Sequence, residues 1–128
     1  MDALTRVGVS VDPADPTPPY EQLRRQLHSL IVSGVITSGT RLSPVRGLEA
    51  DLSLAPGTVA RTYRCLEAEG LVETRRGGGT IVNPRGPKLS AAQRTKKVAA
   101  LAEDFASEAR RAGATDESIR KALEDALA

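Results

Sequence analysis

A chain of 128 residues with no Trp, one Phe and two Tyr has room for one ordinary domain or for one small domain plus an appendage, with a core built from Leu, Val, Ile and Ala. A single cysteine excludes an internal disulfide and a cysteine zinc cluster, and neither a membrane-length apolar run nor a secretory leader is present, which predicts a cytoplasmic protein. Net charge is only +2, but residues 20–88 carry ten basic and six acidic side chains while residues 89–128 carry seven of each, so the positive field sits mid-chain, as suits a polyanion-binding module.

Val7, Val9 and Val11 alternate with Gly8 and Ser10, the period of a short strand, and a proline-broken connector follows over residues 12–19. Thr17 is placed to cap the next helix, whose first turn tolerates the prolines. From Tyr20, the residues Leu23, Leu27, Leu30 and Ile31 recur at three and four until Ser33-Gly34, the pattern of a scaffold helix. Ser43 can cap a short helix with Pro44 in its first turn and Leu48 and Leu52 as its apolar pair.

After a turn at residues 53–55, Pro56 opens a longer helix. Val59, Tyr63 and Leu66 form its buried stripe, Thr62 borders that stripe, and Gly70 ends the helix. At about 100° per residue, Gly57, Arg61, Arg64 and Ala68 fall opposite the stripe, with Thr58 at its edge. A helix that is greasy behind and basic in front fits a major groove about 12 Å wide. The scaffold leucines and this stripe together predict a three-helix core.

Residues 71–76 and 80–82 read as strands around the tip Gly77-Gly78-Gly79, with Arg75 and Arg76 at its base. Such a tip approaches a phosphate backbone closely or places an arginine in a minor groove. A nucleotide-binding loop would need a helix after the glycines, and a strand follows instead.

Residues 83–87 have linker composition. Ser90 with Gln93 makes a capping box for a helix that carries Val98, Leu101, Ala102, Phe105 and Ala109 on one side until Gly113. Thr115 caps a last helix with Ile119, Leu123 and Leu127 on its stripe. Two such helices cannot bury both stripes alone, which predicts a homodimer formed through Val98, Leu101, Phe105, Ile119, Leu123 and Leu127.

The residues Arg41-Leu42, Val45-Arg46, Leu48, Ala50, Leu52, Thr58-Val59, Tyr63, Arg76-Gly77 and Gly79-Thr80, and above all the run LEAEGLVETRRGGGT at 66–80, resemble the DNA-binding domain of the GntR family of bacterial transcription regulators. The likeness reaches back to Pro19-Tyr20-Glu21-Gln22 and Gly34 and covers about two-thirds of the chain. It implies a mainly α fold with a small β-wing: a winged helix-turn-helix domain at residues 1–83, a linker at 84–89 and a two-helix dimerisation hairpin at 90–128. It also implies a DNA-contacting Arg46, a backbone-contacting Thr58, and Arg76-Gly77 at the wing tip.

Pro56 and Ala60 stand where several members carry base-reading arginines, and Ala55 replaces the usual serine cap. The variant Pro56-Gly57-Thr58-Val59-Ala60-Arg61 is similar to the short-tailed YtrA-type branch, which puts the basic side chain at Arg61. The candidate contacts with double-stranded DNA are Arg46, Gly57, Thr58, Arg61, Arg64, Arg75, Arg76 and Gly77. The short tail leaves no room for an effector-enclosing domain, and no residue identifies an effector.

Each signal has a plainer reading. Arg61 and Arg64 can be solvated helix charges, and Arg46 can neutralise Glu49 or Asp51; their place in a helix-turn-helix favours DNA. His28 and Cys65 read as surface residues, and one His with one Cys assembles neither a catalytic set nor a metal site, so no enzyme activity, cofactor or metal is expected. The implied protein is a repressor that binds an inverted repeat as a homodimer. The alternative is a winged fold that docks proteins and has no operator, which salt dependence of duplex binding would separate.

Overall fold

The computed structural model describes residues 3–128, and the chain divides into two units after Leu89. In the first unit the elements run α1 (Ala3–Arg6), α2 (Pro19–Val32), α3 (Val45–Leu52), α4 (Thr58–Ala68), β1 (Val72–Arg75) and β2 (Gly79–Val82). The strands pair antiparallel, Val72 opposite Val82 and Arg75 opposite Gly79. Residues 40–42 add a third edge: the Leu42 amide donates to the Thr80 carbonyl at 2.8 Å, and the Val82 amide to the Thr40 carbonyl at 2.9 Å.

The apolar periodicity of α2 and α4 does what its spacing predicts. Leu23 and Leu27 of α2, Leu48 of α3, and Val59 and Leu66 of α4 are all 0% exposed in one cluster. Two buried hydroxyls hold α4 in place: Thr62 Oγ1 donates to the Tyr20 carbonyl at 2.9 Å, and Tyr63 Oη to the Ser43 carbonyl at 2.7 Å. At the surface, Arg24 bridges Glu21 and Glu69, and His28 Nδ1 lies 3.0 Å from Glu69 Oε2, joining α2 to the end of α4. The hydrogen bond from Arg24, aided by Arg25, pulls the Glu21 carboxyl down to about 2. This is the winged helix-turn-helix expected from the sequence.

Several local expectations are corrected. Residues 7–8 form a turn and residues 9–12 run as irregular chain, so the valine alternation is not a strand. Val9 plugs the core, and the backbone that a sheet would have paired is served by α2 side chains: Gln26 exchanges hydrogen bonds with Ser10, and Gln22 with Asp12.

The N-cap positions of α2 and α3 belong to Pro18 and Pro44, not to Thr17 and Ser43. Pro56 lies in a turn. Helix α4 starts at Thr58, after Gly57 at φ 92°, a left-handed value that glycine adopts without strain. The cap missing at Ala55 comes from another helix. Buried Glu49 of α3 accepts the Val59 amide through Oε2 at 3.3 Å, placing a carboxylate at the positive end of α4. Glu49→Ala is therefore expected to lower stability by about 1–2 kcal/mol in chemical denaturation; an unchanged midpoint would remove Glu49 from that role.

Residues 84–89, read as a linker, lie in the first unit. The Leu89 amide donates to the Val32 carbonyl at 2.8 Å, and Leu89 packs on the core.

The second unit, Ser90–Ala128, contains α5 (Ala91–Arg111) and α6 (Asp116–Leu127). Both caps read from the sequence are formed: Ser90 and Gln93 make the reciprocal box, and Thr115 Oγ1 accepts the Ser118 amide at 3.1 Å. Every residue of both helices is exposed or half-exposed. Val98, Leu101 and Phe105 are 59%, 58% and 39% exposed, and Leu123 and Leu127 are 47% and 79% exposed. Among the described residues, no helix is long and apolar enough to cross a membrane.

Candidate nucleic-acid interface

Burying Val59, Thr62, Tyr63 and Leu66 turns the other side of α4 outward, so Arg61 and Arg64 are exposed and Thr58 is half-buried at the amino end. Gly57, Thr58, Arg61 and Arg64 share one open groove of about 570 Å³ with Pro19 and Tyr20 at the start of α2. The Arg61 guanidinium carbon lies 3.7 Å from the centroid of the Tyr20 ring.

The wing holds a second group. Arg75 ends β1, Arg76-Gly77-Gly78 form the tip, and the Gly78 amide closes it on the Arg75 carbonyl at 3.0 Å. Gly77, at φ 75°, supplies the left-handed backbone that the three-residue tip needs. Arg76 is exposed. Arg75 is already paired, its Nη2 2.5 Å from Glu73 Oε1 on the same strand.

Arg46 belongs to neither group; it lies exposed in the first turn of α3. Of the two carboxylates that the plainer reading offers it, Glu49 caps α4, and among the described residues neither Glu49 nor Asp51 forms an ion pair with it. Among the described residues, no carboxylate lies within ion-pair distance of Arg41, Arg46, Arg61, Arg64 or Arg76.

Arg41 is a further candidate contact that the sequence alone does not reveal. Its Nε would lie 3.0 Å from a Cβ built on Gly79, so this side chain lies along the wing, at the edge where Arg41 bridges to Ile81. The signal was a basic residue beside the buried Leu42, legible as part of the wing only once the pairing of residues 40–42 with β2 is known. His28 is engaged by Glu69 and Cys65 is half-buried. Among the described residues, no cluster of His, Cys, Asp or Glu is placed to hold a metal ion.

The arrangement presents a row of guanidinium donors on one helix and a glycine-tipped finger with further arginines, which can engage phosphates and base edges. Residues 19–82 match the family described as bacterial regulatory proteins, gntR family. The chain is 36% identical over 118 residues to the HTH-type transcriptional regulator Rv1152 of Mycobacterium tuberculosis, covering 92% of this chain and 93% of that protein. It is 39% identical over 75 residues to the HTH-type transcriptional repressor YtrA of Bacillus subtilis, covering 59% of this chain and 58% of that protein. Its fold is similar to that of a GntR family transcriptional regulator from Listeria monocytogenes, with a TM-score of 0.56 and 27% identity over 90% of this chain and 98% of that one.

Proposed function

Because the chain belongs to the GntR family of DNA-binding transcriptional regulators, we propose that it is a repressor that binds an inverted-repeat operator as a homodimer and reads bases through Arg61. The observation that carries this reading is the division of α4 into two faces, with Thr62 and Leu66 fully buried and Arg61 and Arg64 exposed and, among the described residues, free of carboxylates.

In this reading α4 enters the major groove with Gly57 and Thr58 against the backbone, Arg61 on a base edge and Arg64 beside it. Arg46 engages a phosphate. Arg76 and Gly77, with Arg41 behind them, follow the flanking backbone, and Arg75 joins by exchanging Glu73 for a phosphate. The stripe of exposed Val98, Leu101, Phe105, Leu123 and Leu127 with half-buried Ile119 meets the same stripe of a second copy, setting two recognition helices about 34–36 Å apart, one turn of duplex. Occlusion of polymerase at such a site accounts for repression, the sign of regulation that the relative YtrA carries in its name. The protein then works where the chromosome is, in the cytoplasm.

Arg61→Ala is expected to lower affinity for a selected operator by about 1–3 kcal/mol and to leave a scrambled duplex nearly unaffected. Arg76→Ala is expected to weaken both duplexes alike and to reduce the salt slope by about one. Titration of both variants against both duplexes decides the matter. Equal, small losses on the two duplexes for Arg61→Ala would overturn the base-reading role.

A further inference from the structure

We propose that Tyr20 is a positioning residue for Arg61, holding the guanidinium in one orientation before DNA arrives. The proposal rests on the reading of Arg61 as the base contact. Three observations support it.

The first is the stack itself, 3.7 Å from guanidinium carbon to ring centroid. Stacking uses the flat π face of the guanidinium and leaves its five N–H donors, which lie in the plane, available. A carboxylate would hold the side chain equally well but would occupy the donors and repel phosphate, as Glu73 does with the Nε and Nη2 of Arg75.

The second is that the platform is fixed. Thr62, next in the chain to Arg61 and 0% exposed, donates its hydroxyl to the Tyr20 carbonyl at 2.9 Å, so one bond from a buried side chain sets the spacing between the two backbones. Pro18 and Pro19 precede the ring, with Pro19 in the first turn of α2, and their locked φ angles fix its entry.

The third is that both partners line the same groove, together with Gly57 and Thr58 at the start of α4. The orientation imposed on Arg61 is therefore imposed inside the proposed DNA-facing cleft. An arginine already ordered there loses less rotamer freedom on binding, and the saving appears only when its donors meet a matching base.

The test uses the full-length protein, an operator duplex selected by it from a random library, and a scrambled duplex. Tyr20→Leu is expected to lower operator affinity about two- to fivefold, to leave the scrambled duplex unchanged, and to add nothing in the Arg61→Ala background. Tyr20→Phe, which keeps a ring, is expected to restore most of the loss. Equal losses with and without Arg61, equal losses on both duplexes, or a Tyr20→Phe variant as weak as Tyr20→Leu would each overturn the proposal.

If Arg61→Ala itself spares operator binding, the base-reading assignment falls and the positioning role with it; if Arg61→Ala is weak but Tyr20→Leu is not, positioning alone falls. A readout without variants guards against misfolding. In the unaltered protein, the Arg61 side-chain protons should carry ring-current shifts in an NMR spectrum, and a freely averaging Arg61 would overturn the proposal.

Discussion

Replacing Leu101 and Phe105 together with serine should convert the protein to a monomer in sedimentation and weaken operator binding by at least about 100-fold. Both residues lie on the long helix of the second unit, at 58% and 39% exposure, in a hairpin with no fully buried side chain among its described residues. A helix of 21 residues gains little from propensity alone; it is ordered by packing an apolar face, and here that face is still uncovered. Burying one Leu or Phe contributes roughly 1.5–3 kcal/mol, and a two-fold interface counts each substitution twice. The double variant should therefore lose several kcal/mol of the proposed dimer's stability. The loss of DNA affinity has a separate origin: once one head is bound, the second binds its half-site at high effective concentration, and a monomer forfeits that gain. Binding to an isolated half-site duplex should stay unchanged, because neither residue belongs to the first unit. A variant that still sediments as a dimer, or a monomer that binds the full operator as tightly as before, would refute the pairing.

What could be read in advance depended on how far apart in the chain the partners lie. The stripes of α2 and α4 and the caps at Ser90 and Thr115 are decided within a turn or two of helix, and the sequence displays them openly. The valines at 7, 9 and 11 misled because period two marks a strand only if a partner strand exists; here Gln22 and Gln26, from a helix further along, take up the backbone groups. The same holds for the cap of α4, which local spacing puts at residues 55 and 56 and the fold supplies from Glu49.

At the candidate site, the exposed arginines were legible from helical phase, but their surroundings were not. Tyr20 beneath Arg61 and Arg41 along Gly79 come from elements far away in the chain. The pairing of Arg75 with Glu73 is different. Residues two apart on a strand share a face, so that ion pair was open to inspection from the start.

Leu66→Ala should cost about 2–5 kcal/mol of folding stability, yet leave the choice between operator and scrambled DNA intact. Leu66 is 0% exposed on the inner side of α4, packed in the same cluster as Leu23, Leu27 and Val59. Truncation removes its transfer free energy and leaves a cavity that tightly tied neighbours cannot collapse to fill, since Thr62 at the border of the stripe and Tyr63 within it anchor the helix. For a unit of this size the melting temperature should fall on the order of 10–30 °C by circular dichroism. Arg64→Ala, on the outer side of the same helix, should move it by no more than the equivalent of about 0.5 kcal/mol. Well below its melting point, the Leu66→Ala protein still presents Arg61 and the wing, so its preference for operator over scrambled duplex should match that of the unaltered chain. Added operator should raise its melting temperature, because DNA binds only the folded form. A Leu66→Ala protein that melts normally but has lost its preference for operator would mean that α4 turns this side chain toward DNA, and the two-faced helix on which the proposed function stands would be wrong.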